Sequence, residues 1–161
     1  MASQKVLSEM NEQIKHELYS AYLYLSMAAY METQDLPGFA HWMESQAKEE
    51  FEHAMKFYEY VHDQGGRVVL QALDQPPSEF ESVKAVMDET LKHEQFVTSL
   101  IHKLYETSLK ENDYASQIML NWFVSEQVEE EKTVSDILSV LERIGESGNG
   151  LIMLDRQMGA R

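Results

Sequence analysis

Ionisable side chains occupy core positions in the middle of four long helix-forming stretches. In a bundle helix, core residues recur every three or four positions, so each apolar line can be followed along the sequence. Four acids and one histidine fall on these lines where a Leu would be expected: Glu17, Glu50, His53, Glu94 and Glu130. Burying these groups costs free energy unless a cation neutralises them. The pattern therefore predicts a metal site inside a helical bundle.

The first two stretches show the pattern most clearly. In the first, an apolar line passes Ile14, is interrupted by Glu17 and resumes at Tyr24. In the second, Glu50 and His53 are three residues apart, which places them on one helix face. Two side chains on one face of a helix can bind the same ion.

Sparse helix breakers indicate an all-α chain. The 161 residues include 7 glycines and 3 prolines, which suits long, uninterrupted helices. The first helix is predicted from about Ser3 to Thr33, and Pro37 is expected to open the second, which ends at Gly65–Gly66. No linker divides the sequence, so one domain covering residues 1–161 is expected.

A long connection separates the second helix from the third. It extends from Arg67 to Pro77, which is enough chain for these two helices to run parallel. Ser78 and Glu81 have the spacing of a capping box, which predicts that the third helix starts there and extends to about Glu111.

The end of the sequence predicts a fourth helix and a short fifth one. The fourth follows the capping pair Asn112–Asp113 and ends near Gly145. The glycines of residues 148–150 are expected to break the chain, and residues 151–158 to form a short helix. Because this helix has a small apolar face, we expect that face to pack on a neighbouring subunit.

Composition excludes several classes of function. The chain has no cysteine, so a metal must bind through oxygen and nitrogen ligands, and no thiol nucleophile is available. A formal net charge of −15 opposes binding to nucleic acid or to an anionic membrane and favours small cations. No N-terminal signal segment or long apolar run is evident, so a cytoplasmic location without membrane association is expected.

The core acids lie at similar depths in their helices. At about 1.5 Å per residue, Glu17, Glu50 and Glu94 each lie roughly 20 to 24 Å from the start of their helices. Gln127 and Glu130 lie roughly 20 to 25 Å from the start of theirs. Positions near the middle of a helix stay at the same level whichever way the helix runs. The side chains can therefore form one layer.

One layer with four carboxylates and one imidazole has enough ligands for two cations. Glu17, Glu50 and His53 would bind one ion, Glu94 and Glu130 the other, and Glu50 is placed to bridge both. Hard oxygen ligands with one imidazole suit iron, manganese or zinc.

This ligand pattern resembles that of the bacterial non-haem ferritins, within the larger group of ferritin-like di-iron proteins. The resemblance rests on Glu50-x-x-His53 and on the three other in-phase acids, and it extends over the whole chain. It implies a ferritin-like four-helix bundle with a long crossover between helices 2 and 3 and a short fifth helix.

The resemblance also implies an activity. The five core residues would hold two iron ions of a ferroxidase centre, with Gln127 beside them. This centre would oxidise Fe(II) with O₂ or H₂O₂. Ferric mineral would collect inside a hollow homo-oligomer of 24 subunits. Tyr24 and Trp122 match aromatic residues near the centre, and Tyr24 is counted among the catalytic residues.

A third iron site is implied by the same resemblance. It would be built by Glu49, Glu126 and Glu129, with help from Glu130. All of these acids are present in the chain.

The sequence departs from the motifs of related di-iron proteins at two positions, which excludes some kinds of site. Many di-iron carboxylate proteins carry a second Glu-x-x-His, whereas this chain has Gln127-x-x-Glu130. Haem-binding relatives have a Met directly after the Glu of the motif, and this chain has Phe51. The sequence therefore predicts neither a metal site with two imidazole ligands nor a haem-binding site.

Several residues with suitable chemistry are given ordinary roles. Glu59 and His62 repeat the Glu-x-x-His spacing but lie off the core line. Glu131 is expected on a solvated helix face. Four further histidines miss the core phase and are also expected to be solvated: His16, His41, His93 and His102.

Three alternative functions stay open at this point. The protein could be a shell that buffers metal without rapid catalysis, although the complete ligand set argues against this. It could be a peroxide-reducing di-iron enzyme of small assembly size that stores little iron. A purely structural bundle is the third alternative, but such a bundle gains nothing from buried acids.

Overall fold

Five α-helices account for most of the computed structural model, which describes residues 1–145 and 148–161. The helices are α1 (Gln4–Thr33), α2 (Pro37–Asp63), α3 (Val83–Lys110), α4 (Tyr114–Ile144) and α5 (Gly148–Met158). No strand occurs in these two ranges, so the all-α prediction is confirmed. Among the same residues, no helix is both long and apolar enough to span a bilayer.

The third helix starts later than predicted. Its N-cap is Ser82, whose side chain accepts a hydrogen bond from the backbone nitrogen of Ala85 at 3.0 Å. The predicted capping box at Ser78 and Glu81 is therefore wrong. Ser82 is the effective cap because the buried line of the helix begins directly after it, at Val83.

The fifth helix begins earlier than predicted. Gly148 is its first residue, so the expected chain break at residues 148–150 is wrong. The glycines lie in the first turn, whose backbone N–H groups have no partner within the helix. Leu154 and Met158 are buried against the core of their own chain, whereas Ile152 and Met153 are exposed.

The connection between α2 and α3 follows α1 towards its C-terminal half. The side chain of Asn11 donates to the backbone oxygen of Val69 at 3.0 Å and accepts from its nitrogen at 2.9 Å. Further along, the Ser26 hydroxyl donates to the backbone oxygen of Pro77. The chain therefore returns to the end of the bundle where α2 began, and α2 and α3 run parallel.

The fifth helix is fastened to the start of α2. The Asp155 carboxylate accepts a hydrogen bond from the backbone nitrogen of Phe39 at 2.8 Å, as an N-cap residue would. A Cβ atom on Gly38 would lie 1.7 Å from the backbone oxygen of Asp155. Only glycine at position 38 permits this close approach.

The apolar core is divided into two separate clusters. One cluster lies towards the C-terminal half of α1 and includes Met27, Met43 and Val134. The other lies towards the N-terminal half of α1 and includes Ile14 and Phe57. The buried acids lie in the layer between them.

Candidate metal centre

The layer between the two apolar clusters contains every core ligand predicted from the sequence. Each of these side chains is buried, with at most 6% of its surface exposed. They come from four helices: Glu17 from α1, Glu50 and His53 from α2, Glu94 from α3, and Gln127 and Glu130 from α4.

Glu17, Glu50 and His53 form the tightest cluster in the layer. Each offers one ligand atom, and these atoms all lie within 4.8 Å of one another. The Nδ1 atom of His53 is 3.4 Å from a Glu50 oxygen and 4.0 Å from a Glu17 oxygen. Within the described residues, Glu17 Oε2 and His53 Nδ1 have no hydrogen-bond partner. Since buried polar atoms are normally paired, these two atoms are suited to bind a cation.

Glu94 is held by hydrogen bonds from both sides. The Tyr24 hydroxyl donates to one of its carboxylate oxygens. The Gln127 amide donates to the other oxygen at 3.1 Å and also to the Thr98 hydroxyl at 3.1 Å. These donors fix the orientation of the carboxylate before any ion binds.

Two glutamines play a part that the sequence interpretation missed. The Gln46 amide donates to Glu130 Oε2 at 2.9 Å, and the Gln13 amide donates to Glu17 Oε1 at 3.1 Å. Both are buried. Their signal was present in the sequence, because each lies one helical turn before a core acid, at the same phase.

Without a cation, the layer favours protonated carboxyl groups. Burial, reinforced by the charge of Glu50, raises the pKa of Glu17 well above its usual range. Burial raises the pKa of Glu94 to about 7. Burial, followed by the charge of Glu94, raises the pKa of Glu130 to about 7. Metal binding would therefore have to displace protons.

A second acidic cluster lies beside this layer. Ligand atoms of Glu49, Glu126 and Glu130 all lie within 4.8 Å of one another. They line a cleft of about 660 Å³ that α5 helps to enclose. Glu129, the fourth predicted member, is exposed and lines the cleft outside the cluster. We call Glu49, Glu126 and Glu130 the accessory cluster.

The guanidinium of Arg161 also reaches this cleft. Its Nη2 atom is 2.6 Å from Glu49 Oε1, and its Nη1 atom donates to Gln46 Oε1 at 2.5 Å. Nothing in the helical periodicity indicated this contact, because Arg161 follows the last helix.

The two predicted aromatic residues flank the core ligands. Tyr24 is fully buried, and burial, reinforced by the charge of Glu94, raises its pKa well above 10. Trp122 is partly exposed, and its ring meets the His53 ring edge-on at a centroid distance of 5.3 Å. The Lys56 ammonium lies 4.0 Å from the centre of the Trp122 ring.

Two of the four histidines predicted to be solvated are instead partly buried: His16 and His93. His93 was expected to be solvated, but it is half-buried, and its Nε2 atom lies 2.6 Å from the Ser20 hydroxyl. Burial lowers its pKa to about 4. It lies beside the core position of Glu94, where α1 packs on α3. By contrast, Glu59 and His62 are exposed, as predicted.

Comparisons with known proteins identify relatives of the chain. A family model described as a ferritin-like domain matches residues 7–144. The chain is 37% identical over 161 residues to a bacterial non-heme ferritin of Staphylococcus aureus, covering 100% of this chain and 97% of that protein. It is 38% identical over 159 residues to a probable bacterial non-heme ferritin-like protein of Haemophilus influenzae, covering 99% and 96% of the two chains.

The structure is also similar to solved structures. An open pore ferritin from the hyperthermophilic archaeon Archaeoglobus fulgidus superposes with a TM-score of 0.98 at 45% identity. The match covers 100% of this chain and 99% of that one.

Proposed function

The chain belongs to the ferritin-like family, and from that premise we propose that it is an iron storage protein with ferroxidase activity. Fe(II) is the substrate, and O₂ or H₂O₂ is the oxidant. The observation that carries the proposal is the buried layer in which Glu17 Oε2 and His53 Nδ1 lack a hydrogen-bond partner among residues 1–145 and 148–161. A structural core has no use for this arrangement, because an unpaired buried acid costs stability.

We assign the first ion to Glu17, Glu50 and His53. Neutral imidazole can offer the lone pair of Nδ1, and two carboxylates balance the charge of a divalent cation. We assign the second ion to Glu94 and Glu130, with Glu50 between the two ions. Burial, followed by the charge of Glu94 and with a smaller part from the charge of Glu130, raises the pKa of Glu50 well above its usual range, which supports a position for Glu50 near both acids.

The residues around the centre support pairwise oxidation. Each Fe(II) gives up one electron, so two ions held together can supply two electrons to one oxidant molecule. The carboxylates then stabilise the higher charge of Fe(III) better than that of Fe(II). Tyr24 and Gln127 hold the Glu94 carboxylate in place by hydrogen bonds during this change of charge.

We propose that the accessory cluster binds a third ion. Its three carboxylates share Glu130 with the main layer, so an ion there is close to the path between the centre and the cleft. Exposed Glu129 lies along that cleft and is suited to attract Fe(II) or Fe(III) rather than to hold it tightly.

We also propose that copies of the chain assemble into a hollow shell, of 24 subunits as the resemblance implies. An exposed apolar face supports self-association: Tyr22, Leu25 and Phe51 on α1 and α2 are each about half exposed. The face continues to the crossover, because Leu25 also lines a cleft with Leu73. Contiguous apolar surface of this kind marks an interface between protein chains.

The main experiment is rapid mixing of metal-free protein, loaded anaerobically with Fe(II), with oxygenated buffer. We expect a fast oxidation phase of about two ions per subunit, followed by slow mineral growth on a large particle. Glu50→Ala or His53→Ala should each slow the fast phase by about tenfold or more, because each removes a metal ligand. Circular dichroism should show unchanged helix content.

The chain supplies matched controls for these variants. Glu59→Ala and His62→Ala alter an exposed pair with the same spacing on the same helix. They should oxidise iron at the unsubstituted rate. An unchanged fast phase in both Glu50→Ala and His53→Ala would refute the assignment of the centre.

The same measurements separate the alternative functions. Iron binding with oxidation no faster than in buffer would indicate a shell that only buffers metal. Rapid oxidation by a small assembly that retains no iron core would indicate a peroxide-reducing enzyme.

A further inference from the structure

Arg161 lies where a third metal ion would find its ligands. Its guanidinium contacts Glu49 Oε1 at 2.6 Å and Gln46 Oε1 at 2.5 Å. Gln46 uses its amide group to hold Glu130 at 2.9 Å. A fixed positive charge thus touches one acid of the accessory cluster directly and a second acid through a single glutamine.

The chain holds this residue in place over one face of α2. The backbone oxygen of Arg161 is 2.8 Å from His41 Nε2, and its guanidinium lies 5.2 Å from the centre of the Trp42 ring. Further back, Asp155 bonds the backbone nitrogen of Phe39. Arg161 is therefore tethered at the cleft by three successive contacts with the first half of α2.

The side chain of Arg161 is suited to occupy a cation position. A guanidinium is a planar cation that pairs with a carboxylate in a well-defined geometry. Its side chain is 27% exposed, so it can swing into solvent when a stronger cation arrives. Both features suit a residue that occupies a cation position reversibly.

We propose that Arg161 is a tethered cation that competes with a third metal ion for Glu49 and thereby sets how tightly the accessory cluster holds iron. The inference rests on the proposed function, since it concerns the ion that the accessory cluster would bind. When a metal ion enters, the guanidinium leaves Glu49; when the ion departs, the guanidinium returns. Iron would then pass through the accessory cluster rather than stay in it.

The expected size of the effect follows from the exposure of the pair. A partly exposed ion pair, strengthened here by a charge-assisted hydrogen bond, changes a binding equilibrium by about three- to tenfold. Removing the charge of Arg161 should raise the affinity of the accessory cluster for the third ion by that factor. The ion bound by Glu17, Glu50 and His53 should be unaffected, because Arg161 contacts none of these side chains.

The test is calorimetric titration of the metal-free protein with Zn(II), which binds oxygen and nitrogen ligands without redox chemistry. Arg161→Gln removes the competing charge, and Arg161→Lys keeps it. Arg156→Gln is the matched control, because it removes an exposed positive charge from the same end of the chain.

We expect Arg161→Gln to bind the third Zn(II) about three- to tenfold more tightly than the unsubstituted protein, and Arg161→Lys to stay closer to the unsubstituted protein. Equal third-ion affinity in Arg161→Gln and Arg156→Gln would overturn the inference, because a general change of net charge would then explain any shift. If every form binds two ions tightly and Arg161→Gln leaves the affinity for the third ion unchanged, the result would contradict only this inference. Fewer than two tight ions in every form would overturn the proposed centre and the inference together.

Discussion

Glu94→Gln should make the stability of the metal-free protein less dependent on pH. Burial raises the pKa of the Glu94 carboxyl from 4.5 to about 7 in the folded chain. Unfolding returns it to its ordinary value. Between these two pH values the folded chain binds more protons than the unfolded chain, so the free energy of unfolding falls as pH rises. The contribution is fully present below pH 4.5 and is lost above about pH 7.

The magnitude follows from the separation of the two pKa values. A change from 4.5 to about 7 corresponds to a loss of about 3 kcal/mol between acidic and neutral pH. A neutral glutamine contributes nothing to this slope. In Glu94→Gln the loss of stability on going from acidic to neutral pH should be smaller still. The charge of Glu94 is the second cause of the raised pKa of Glu130, so its removal also lowers the pKa of Glu130 towards its ordinary value.

The assay is chemical denaturation of the metal-free protein, followed by circular dichroism from pH 4.5 to 8. Glu89→Gln is the control, because it makes the same substitution at an exposed position of α3. Relative to this control, Glu94→Gln should retain about 3 kcal/mol more of its stability on going to pH 8. Parallel stability curves for the two variants would refute the argument that Glu94 is buried with a raised pKa.

Further predictions test other parts of the structure. Gly38→Ala should lower the free energy of unfolding by about 3 kcal/mol, because α5 can no longer dock on α2. Gly148→Ala should leave the free energy of unfolding unchanged, because a Cβ atom at Gly148 would meet open space. Thermal denaturation of the two variants compares these effects. Zn(II) binding at pH 6 should release about two protons from Glu94 and Glu130, whose pKa values are about 7, and further protons from Glu17 and Glu50, whose pKa values burial also raises. The release from Glu94 and Glu130 should be smaller at pH 8. Calorimetry in two buffers of different ionisation enthalpy measures this release. Tyr24→Phe removes a hydrogen bond to Glu94, which should raise the pKa of Glu94 further and shift the pH profile of Fe(II) oxidation upwards; stopped-flow rates across pH would show no shift if the contact were unimportant.

The helices and the buried acid layer were predictable because periodicity determines which side chains face the core. Glu17 and Glu94 fall on apolar lines, and both are buried. The start of α3 was not predictable from the capping pattern alone. Ser78 and Ser82 are both of a residue type that is favoured at an N-cap, and the packing of Val83 against the core selects Ser82.

Contacts between distant parts of the chain were out of reach. The contact between Arg161 and Glu49 joins residues 112 positions apart, and no local pattern encodes such a pairing. His93 was misjudged for a related reason. The helical phase of α3 places it beside the core line, but the α1 residue Ser20 that covers it could only be identified once the helices were packed.

The division of the apolar core into two clusters has a consequence for local opening. Each cluster draws residues from all four long helices, so each half of the bundle has a compact apolar centre of its own. The acid layer between them is the least stable part of the bundle in the metal-free chain, because its carboxyl groups are better solvated when they contact water. Backbone amides near Glu17 and Glu50 should exchange their hydrogens faster than those near Met27 or Phe57. Metal binding would make the two halves unfold as one cooperative unit, because an ion bound in the acid layer would cross-link the four helices between the two apolar clusters.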